Sequence, residues 1–268
     1  MKDGFKIIDT HCHVYPDKIA DKASHATGNF YHLPASMDGS IKVLADKGAK
    51  AGIDHFVINS VATTPSQVHA INTFIADTVK NGGGKFTGLG TLQQDLTNPE
   101  NDVNEILSLG LKGIKLHPDI QRFRIDDERA IRFFEIVDGR LPFLLHLGDN
   151  RYDNSNPNRI IPVLKAFPHT VFIGAHFGGW SIWEDASRQL YKFDNLIVDC
   201  SSALYALSPE KAVELIRLYG ADRVMFGTDY PLWNPTVEME RFDRLKLTDD
   251  EKEKILYTNA SVLYGIKL

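Results

Sequence analysis

Eight short runs of β-branched and other apolar residues alternate with longer amphipathic segments along the whole chain. Several of these runs are continuously apolar, which is typical of parallel strands that are buried on both faces. The predicted strands cover residues 5–11, 55–61, 86–92, 113–117, 142–147, 170–176, 196–201 and 223–229. Eight strands, each followed by a helical segment, predict an α/β fold of the (β/α)8 TIM-barrel type, as a single domain over residues 1–268.

The main alternative to a barrel is an open, doubly wound sheet. That fold commonly carries a glycine-rich phosphate loop of the GxGxxG or GxxxxGK[ST] type, and the sequence contains neither pattern. The run of three glycines at 82–84 follows a predicted helix and precedes a predicted strand, so we interpret it as a loop.

Helix boundaries are marked by local signals. A helix-capping residue precedes a proline at the first helical position in four pairs, Thr64–Pro65, Asn98–Pro99, Asn156–Pro157 and Ser208–Pro209. Thr248 and Glu251 have the spacing of a capping box. Glycines that favour a left-handed helix end lie at Gly48, Gly52, Gly110 and Gly220. The polar stretch 14–39 is predicted to be a long loop, of a length often found over functional sites.

The composition restricts the classes of partner. The 268 residues carry a net charge of -5, which provides no basic face for nucleic acid or an anionic membrane, and neither partner is expected. Cys12 and Cys200 have no zinc-finger or disulfide spacing, and we interpret both as small buried hydrophobes. Neither a signal peptide nor an apolar run of transmembrane length is found, so a cytoplasmic location is expected.

Histidines are concentrated at one kind of position. The chain has ten, and five of them lie at the carboxyl ends of predicted strands, namely His11, His13, His117, His146 and His176. The other five are scattered over loops, helices and strand starts. A TIM barrel builds its active site at the carboxyl ends of its strands, so this distribution predicts a functional site there.

The pattern of His11 and His13 points to a metal. Alternate residues of a strand share one face, so the two imidazoles can bind one ion from the same side. Neutral imidazole suits zinc, iron, nickel or manganese. Asp229 ends the last predicted strand, where a carboxylate is costly to bury unless it is paired or bound to metal. A hydrogen-bonded histidine pair and a helix cap or loop ion pair are the respective alternatives.

Five segments carry a family resemblance. They are IIDTHCH at 7–13, GIKLHPDIQ at 113–121, PFLLHLGD at 142–149, AHFGG at 175–179 and FGTDYP at 226–231. Together they resemble the amidohydrolase superfamily, in particular its branch of short metal-dependent hydrolases and decarboxylases, which includes aminocarboxymuconate-semialdehyde decarboxylase. The most specific part is the paired histidines of the first strand together with the aspartate of the last.

The resemblance implies a set of roles in a metal-dependent hydrolase barrel. The metal ligands would be His11, His13, His146 and Asp229. In members with one ion His176 is a catalytic acid or base, and Asp229 also takes a proton. In members with two ions a carboxylated lysine bridges them at the position of Lys115, and His176 joins the second ion; otherwise Lys115 would bind a substrate anion. One divalent ion is expected, with Zn²⁺ ahead of Mn²⁺, Fe²⁺ and Ni²⁺.

The expected activity is hydrolysis of a small amide, lactone or ester by a metal-activated water. The same residues permit non-oxidative decarboxylation of a small unsaturated or aromatic carboxylic acid, and a metal-binding barrel without catalysis is a third alternative. Candidate substrate contacts are His117, Arg122, Arg151, Tyr152 and Trp180, for which a surface or helix-start position is the alternative. Besides the small-molecule substrate, a second copy of the chain in a homodimer is a candidate partner.

Overall fold

The computed structural model describes Lys2 and residues 4–268, which form two compact units. The first unit contains the described residues up to Asn59, then Gly84–Thr87 and Cys200–Leu268. The second contains Ser60–Gly83 and Gly88–Asp199. The single-domain organisation of the chain stays a prediction, and each unit is described by itself.

Strands and helices follow one another along the chain. The strands are β1 (Ile8–His13), β2 (His55–Asn59), β3 (Phe86–Gly88), β4 (Gly90–Thr91), β5 (Ile114–Leu116), β6 (Phe143–Leu145), β7 (Phe172–Gly174), β8 (Leu196–Asp199) and β9 (Val224–Met225). The helices are α1 (Asp17–Tyr31), α2 (Ile41–Ala51), α3 (Val68–Asn81), α4 (Pro99–Ser108), α5 (Pro118–Gln121), α6 (Glu128–Val137), α7 (Pro157–Ala166), α8 (Trp183–Leu190), α9 (Pro209–Tyr219), α10 (Pro235–Asp243), α11 (Asp249–Glu253) and α12 (Asn259–Tyr264). Single 3-10 turns cover Pro65–Gln67, His176–Gly178 and Ala221–Arg223, and a π-helical turn, Lys254–Thr258, joins α11 to α12.

All eight predicted strands are present, and the third is divided into β3 and β4 around Leu89. Every residue of β1 and β2 is buried, as are those of β5, β6 and β7. Continuous burial explains why β2, β6 and β7 carry apolar residues at successive positions rather than at alternate ones, whereas β1 is equally buried but mostly polar.

In the first unit, β1 lies between two parallel neighbours. It pairs with β2, with an irregularity between Asp9 and Cys12. On its other edge, the Thr10 amide donates to the Phe226 carbonyl at 2.9 Å, and the Asp229 amide donates to the His11 carbonyl at 2.9 Å. The segment that follows β9 therefore runs beside β1 and brings Asp229 next to the end of the first strand.

In the second unit, β4 to β8 form a parallel sheet in sequence order. The middle strands pair without a register shift, as in the contact of Leu116 with Leu145 and of Leu145 with Gly174. His117 directly follows β5, His146 follows β6, and His176 begins a turn just after β7. Three of the predicted site histidines thus leave the sheet at the same edge.

The predicted helix starts are confirmed, and all four predicted capping residues occupy N-cap positions. Each of the four prolines opens its helix or turn. Thr248 and Glu251 form the predicted capping box, and the Ser208 side chain accepts from the Lys211 amide. Asn98 and Asn156 occupy the N-cap positions of their helices as predicted, although their side chains make no capping hydrogen bond; the proline after each has already removed one amide that would need an acceptor.

Two other predictions need correction. The stretch 14–39 is not a long loop, because α1 occupies most of it; α1 buries the small residues Ala20, Ser24 and Gly28, whose spacing of four carries little apolar signal. Gly48 lies inside α2 rather than at its end. A Cβ at Gly48 would be 2.1 Å from Cζ of Phe56, so the glycine lets the helix approach β2. Gly52, by contrast, is the predicted left-handed C-cap, with φ of 79°.

Cys12 and Cys200 are free and fully buried, which confirms the interpretation of both as small buried side chains. Within the described residues, none of the helices combines the length and the apolar character that crossing a membrane requires.

Candidate metal centre

Three predicted ligands of the first unit come together in a buried cluster. Nε2 of His11 lies 3.2 Å from Nε2 of His13, and the Oδ1 atom of Asp229 lies 3.5 Å and 3.4 Å from these two nitrogens. The exposed fractions of the three residues are between 0% and 8%. Two imidazole nitrogens and one carboxylate oxygen therefore form a nearly equilateral triangle away from solvent.

The triangle has the dimensions of a metal site. A single point lies about 2 Å from all three atoms, which is the usual length of a bond from Zn²⁺ to nitrogen or oxygen. The donors are two nitrogens and one carboxylate oxygen, a set that suits zinc, manganese and iron. The residues present thus fit one divalent ion.

The backbone around the cluster is shaped for this contact. Asp229 has φ of 58°, in the left-handed region that non-glycine residues rarely adopt. Strained residues of this kind often lie at functional sites. Two positions earlier, a Cβ at Gly227 would be 2.9 Å from Cβ of His11, so the glycine allows the two strands to approach.

Hydroxyl groups from the segment after β8 hold two of the three candidate ligands. The Ser201 Oγ atom is 3.0 Å from Nδ1 of His11, and the Ser202 hydroxyl donates to Oδ2 of Asp229. When Nδ1 of His11 carries the proton it donates to Ser201, which leaves the Nε2 lone pair available to a metal. Neither serine is among the site residues predicted from the sequence, although both lie at or directly after the end of a predicted strand, where the histidines also lie.

Asp9, which lies two residues before His11 in the same strand, makes hydrogen bonds within the protein and is not one of the candidate ligands. Its carboxylate accepts from the amide and the hydroxyl of Thr228, at 2.9 Å and 2.6 Å, and from the amide of His11 at 3.2 Å. Burial raises the pKa of Asp9 to about 6, and these hydrogen bonds oppose the rise. Asp9 therefore joins β1 to the segment that carries Asp229.

In the second unit, three predicted site histidines contact one another. The rings of His117 and His146 are stacked, with centroids 4.0 Å apart and an angle of 7° between planes. Nδ1 of His146 lies 3.1 Å from Nε2 of His176. A metal lies in the plane of each imidazole that binds it, so two parallel stacked rings do not share one ion. His117 and His146 form with Asp119 a buried group of possible donor atoms within 4.8 Å of one another, but the stacking of the two rings favours a hydrogen-bonded group over a second metal site.

The neighbours of these histidines are also buried. Nδ1 of His117 accepts from the Ile120 amide and so caps α5, and the His176 amide donates to the Asp199 carboxylate at 3.0 Å. Lys115, the candidate bridging or anion-binding residue, is fully buried. Burial raises the pKa of Asp119 to about 7, although Ser155 donates a hydrogen bond to it. Asp119, which lies three residues beyond β5, is not among the site residues predicted from the sequence.

Three of the candidate substrate contacts lie together, because Arg151 packs against Tyr152 and Trp180. The guanidinium of Arg151 lies over the rings of Tyr152 and Trp180, 5.2 Å and 5.4 Å from their centroids, and it also binds Asp149 at 2.7 Å. Trp180 precedes α8 rather than starting it, and it is buried. Arg122 is exposed at the end of α5. Whether any of these residues contacts a substrate stays a prediction.

Comparison with known proteins places this chain in a family and a fold. A family model described as amidohydrolase matches residues 8–266. Among solved structures, an uncharacterized TIM-barrel protein from Bordetella bronchiseptica has a TM-score of 0.79 at 23% identity, over 97% of this chain and 99% of its own. No curated protein matches the chain.

Two further solved structures have assigned or proposed activities. A dihydroxybenzoic acid decarboxylase from a Polaromonas species, with bound manganese and the inhibitor 2-nitroresorcinol, has a TM-score of 0.72 at 16% identity, over 97% of each chain. A Pseudomonas putida protein proposed to be a 2-pyrone-4,6-dicarboxylic acid hydrolase has a TM-score of 0.70 at 18% identity, over 98% of this chain and 99% of its own. At these identities the structures establish the fold, and the predicted TIM barrel is confirmed.

Proposed function

The chain belongs to the amidohydrolase family, and from that membership we propose that it is a metal-dependent hydrolase of a small amide, lactone or ester. The observation that carries the proposal is the triangle formed by His11, His13 and Asp229, whose donor atoms can all lie about 2 Å from one ion. His146, the fourth ligand predicted from the sequence, belongs to the second unit, and its place in the ligand set stays a prediction.

A divalent ion held by these residues would act as a Lewis acid toward a substrate carbonyl and would lower the pKa of water toward about 7. Asp229 accepts the proton that the attacking water loses, and the Ser202 hydroxyl keeps its carboxylate oriented while it does so. His176 delivers a proton to the leaving group, a role suited to imidazole because its ordinary pKa is near neutrality.

One ion per chain is the expected content, because the described residues of the first unit contain one triangle of suitable donors, and the stacked rings of His117 and His146 in the second unit are poorly placed to share an ion. The second ion and the carboxylation of Lys115 are therefore not needed for the proposed reaction. Zn²⁺ is the first candidate, and Mn²⁺ is supported by the bound manganese of the decarboxylase of similar fold.

Non-oxidative decarboxylation is the second candidate function. It is supported by that dihydroxybenzoic acid decarboxylase, which shares the fold over nearly the whole chain. In this reaction His176 would deliver a proton to the carbon that loses the carboxylate, and Arg151 or Lys115 would contact the substrate anion. Arg122, His117, Tyr152 and Trp180 would contribute to substrate binding in either reaction.

Metal analysis tests the centre before any substrate is known. The purified protein is depleted with a chelator, reloaded with Zn²⁺ or Mn²⁺ and analysed for metal per chain. We expect about one ion in the wild type, and at least about tenfold weaker binding in His13→Ala and Asp229→Asn. His69→Ala is the matched control, because His69 is an exposed helical histidine that contacts Glu105. Wild-type protein without metal, or variants that bind it normally, would refute the centre.

Two assays on the loaded enzyme then distinguish the reactions. Proton release from a panel of lactones, esters and amides reports hydrolysis, and CO₂ release from dihydroxybenzoates reports decarboxylation. The His176→Ala and Asp229→Ala variants should lose the activity that is found. Full rates in both variants would show that these residues do not have the proposed roles.

A further inference from the structure

Asn59 is a buried polar residue that the proposed mechanism does not use. It is the last residue of β2, and its exposed fraction is 0%. Among the described residues, neither Oδ1 nor Nδ2 of its carboxamide has a hydrogen-bond partner, whereas its backbone carbonyl accepts from the Val14 amide at 2.9 Å. Buried amides without partners are rare because they lose their hydrogen bonds to water without replacement.

The pairing of β1 with β2 fixes the direction of this side chain. Asn59 is the register partner of His13, and partners on adjacent strands project to the same face of a sheet. Phe56, three positions earlier, packs its ring against Gly48 of α2, so Phe56 lies on the helix-facing side and Asn59 on the opposite side. The Asn59 carboxamide therefore projects to the face on which His13 meets His11 and Asp229.

We propose that Asn59 is a substrate-binding residue, and that its carboxamide recognises a hydroxyl or amide substituent of the substrate held at the candidate metal centre. The inference rests on the proposed function, because it takes the cluster of His11, His13 and Asp229 as the reaction centre. An asparagine side chain donates through Nδ2 and accepts through Oδ1. A hydroxyl or an amide matches both atoms, whereas an ionised carboxylate satisfies only Nδ2.

The first test requires no ligand. Replacing a buried polar group that lacks partners by an apolar group of similar size removes a cost, so Asn59→Leu should raise Tm by about 2–4 °C. The matched control is Asn72→Leu. Asn72 is equally buried, but its side chain accepts from the Thr91 amide at 2.8 Å and donates to the Thr91 carbonyl at 3.2 Å. Asn72→Leu should lower Tm. A similar fall in Asn59→Leu would mean that the amide is satisfied inside the protein, and would overturn the proposal.

The second test uses salicylate and benzoate, which differ by one hydroxyl, as probes of the Mn²⁺-loaded protein. The wild type should bind salicylate about tenfold more tightly than benzoate, and Asn59→Leu should lose this preference while it binds Mn²⁺ normally. An equal preference in both proteins, or none in the wild type, would overturn the assignment. Failure of the wild type to bind Mn²⁺ would instead refute the proposed function, and the comparison of Tm values would still decide whether Asn59 has a partner within the protein.

Discussion

The Ser202 hydroxyl donates a hydrogen bond to Oδ2 of Asp229, while Oδ1 of the same carboxylate faces the two histidines of β1. The Ser202 Oγ atom in turn accepts from Nε1 of Trp233 at 2.8 Å. The two oxygens of Asp229 therefore have separate partners, and the chain of contacts from Trp233 fixes the rotation of the carboxylate. A ligand held in this way needs less reordering when it binds a metal.

Ser202→Ala should weaken metal binding without removing a ligand. We expect the Kd for Mn²⁺ to rise by about 10-fold to 100-fold, because the carboxylate loses the group that orients it. The measurement is competition between the protein and a chelating dye. Ser66→Ala, which changes an exposed serine in the second unit, should leave the Kd unchanged. An unchanged Kd in Ser202→Ala would show that the hydrogen bond does not orient the ligand.

Glu238 makes stability depend on pH. It is buried in α10 beside Arg241, and burial raises its pKa to about 7 from the usual 4.5. Between these values the folded protein retains the proton while the unfolded chain has lost it, so the free energy of unfolding decreases as pH rises through this window. Glu238→Gln removes that decrease.

The stability of Glu238→Gln relative to the wild type should therefore change with pH. The difference should be small near pH 4.5 and should reach about 2–3 kcal/mol in favour of the variant near pH 8. Urea denaturation at several pH values measures it, with Glu240→Gln on the exposed face of the same helix as the control. A difference that is constant across this range would contradict the assignment to Glu238.

The correctly predicted parts of the fold depend on local sequence patterns, which need no knowledge of contacts between distant residues. Buried parallel strands require continuous apolar runs, and prolines at helix starts need only their own backbone geometry. The segment of α1 was missed because small residues, Ala20, Ser24 and Gly28, bury its inner face, and small residues give weak hydrophobic periodicity. Gly48 was misplaced because its role depends on Phe56, a contact between elements that the sequence does not display.

The residues of the candidate site also differ in whether the sequence alone could identify them. His11, His13 and Asp229 could be identified because histidine and aspartate are unusual at the ends of buried strands. Ser201 and Ser202 occupy an equivalent place, but serine is common in loops, so its presence there carries little information before its neighbours are known. Asn59 has the same difficulty, because it lies inside the predicted strand 55–61, and nothing in the sequence shows that its amide lacks partners within the part of the chain that the structure describes.

Gly48→Ala should destabilise the first unit through a single contact. The new methyl group would meet the ring of Phe56, where the distance of 2.1 Å leaves no room for it. We expect a loss of about 1–3 kcal/mol, which is typical of overpacking in a core. Thermal denaturation measures the loss. The double variant Gly48→Ala with Phe56→Leu should be less destabilised than the sum of the single changes, and strict additivity would mean that the ring is not the obstacle.

Variants of Arg151 can show whether this residue stabilises the fold or binds a substrate. Its guanidinium binds both oxygens of the fully buried Asp149, at 2.9 Å and 2.7 Å. Arg151→Ala leaves that carboxylate without its charge partner, which should cost roughly 2–4 kcal/mol. We place the loss below the upper end for a buried pair because the Arg151 side chain is 26% exposed.

A double-mutant cycle with Asp149→Asn tests this role. If the pair is structural, Arg151→Ala should cost much less in the Asp149→Asn background, and urea denaturation should show a coupling energy above about 1 kcal/mol. If Arg151 serves mainly to bind a substrate anion, Arg151→Ala should leave stability unchanged and raise KM at constant kcat.

Arg151→Lys separates the effect of charge from that of geometry, because lysine keeps the charge but cannot bind both carboxylate oxygens in the same planar way. Stability close to that of the wild type in Arg151→Lys would mean that charge alone holds Asp149.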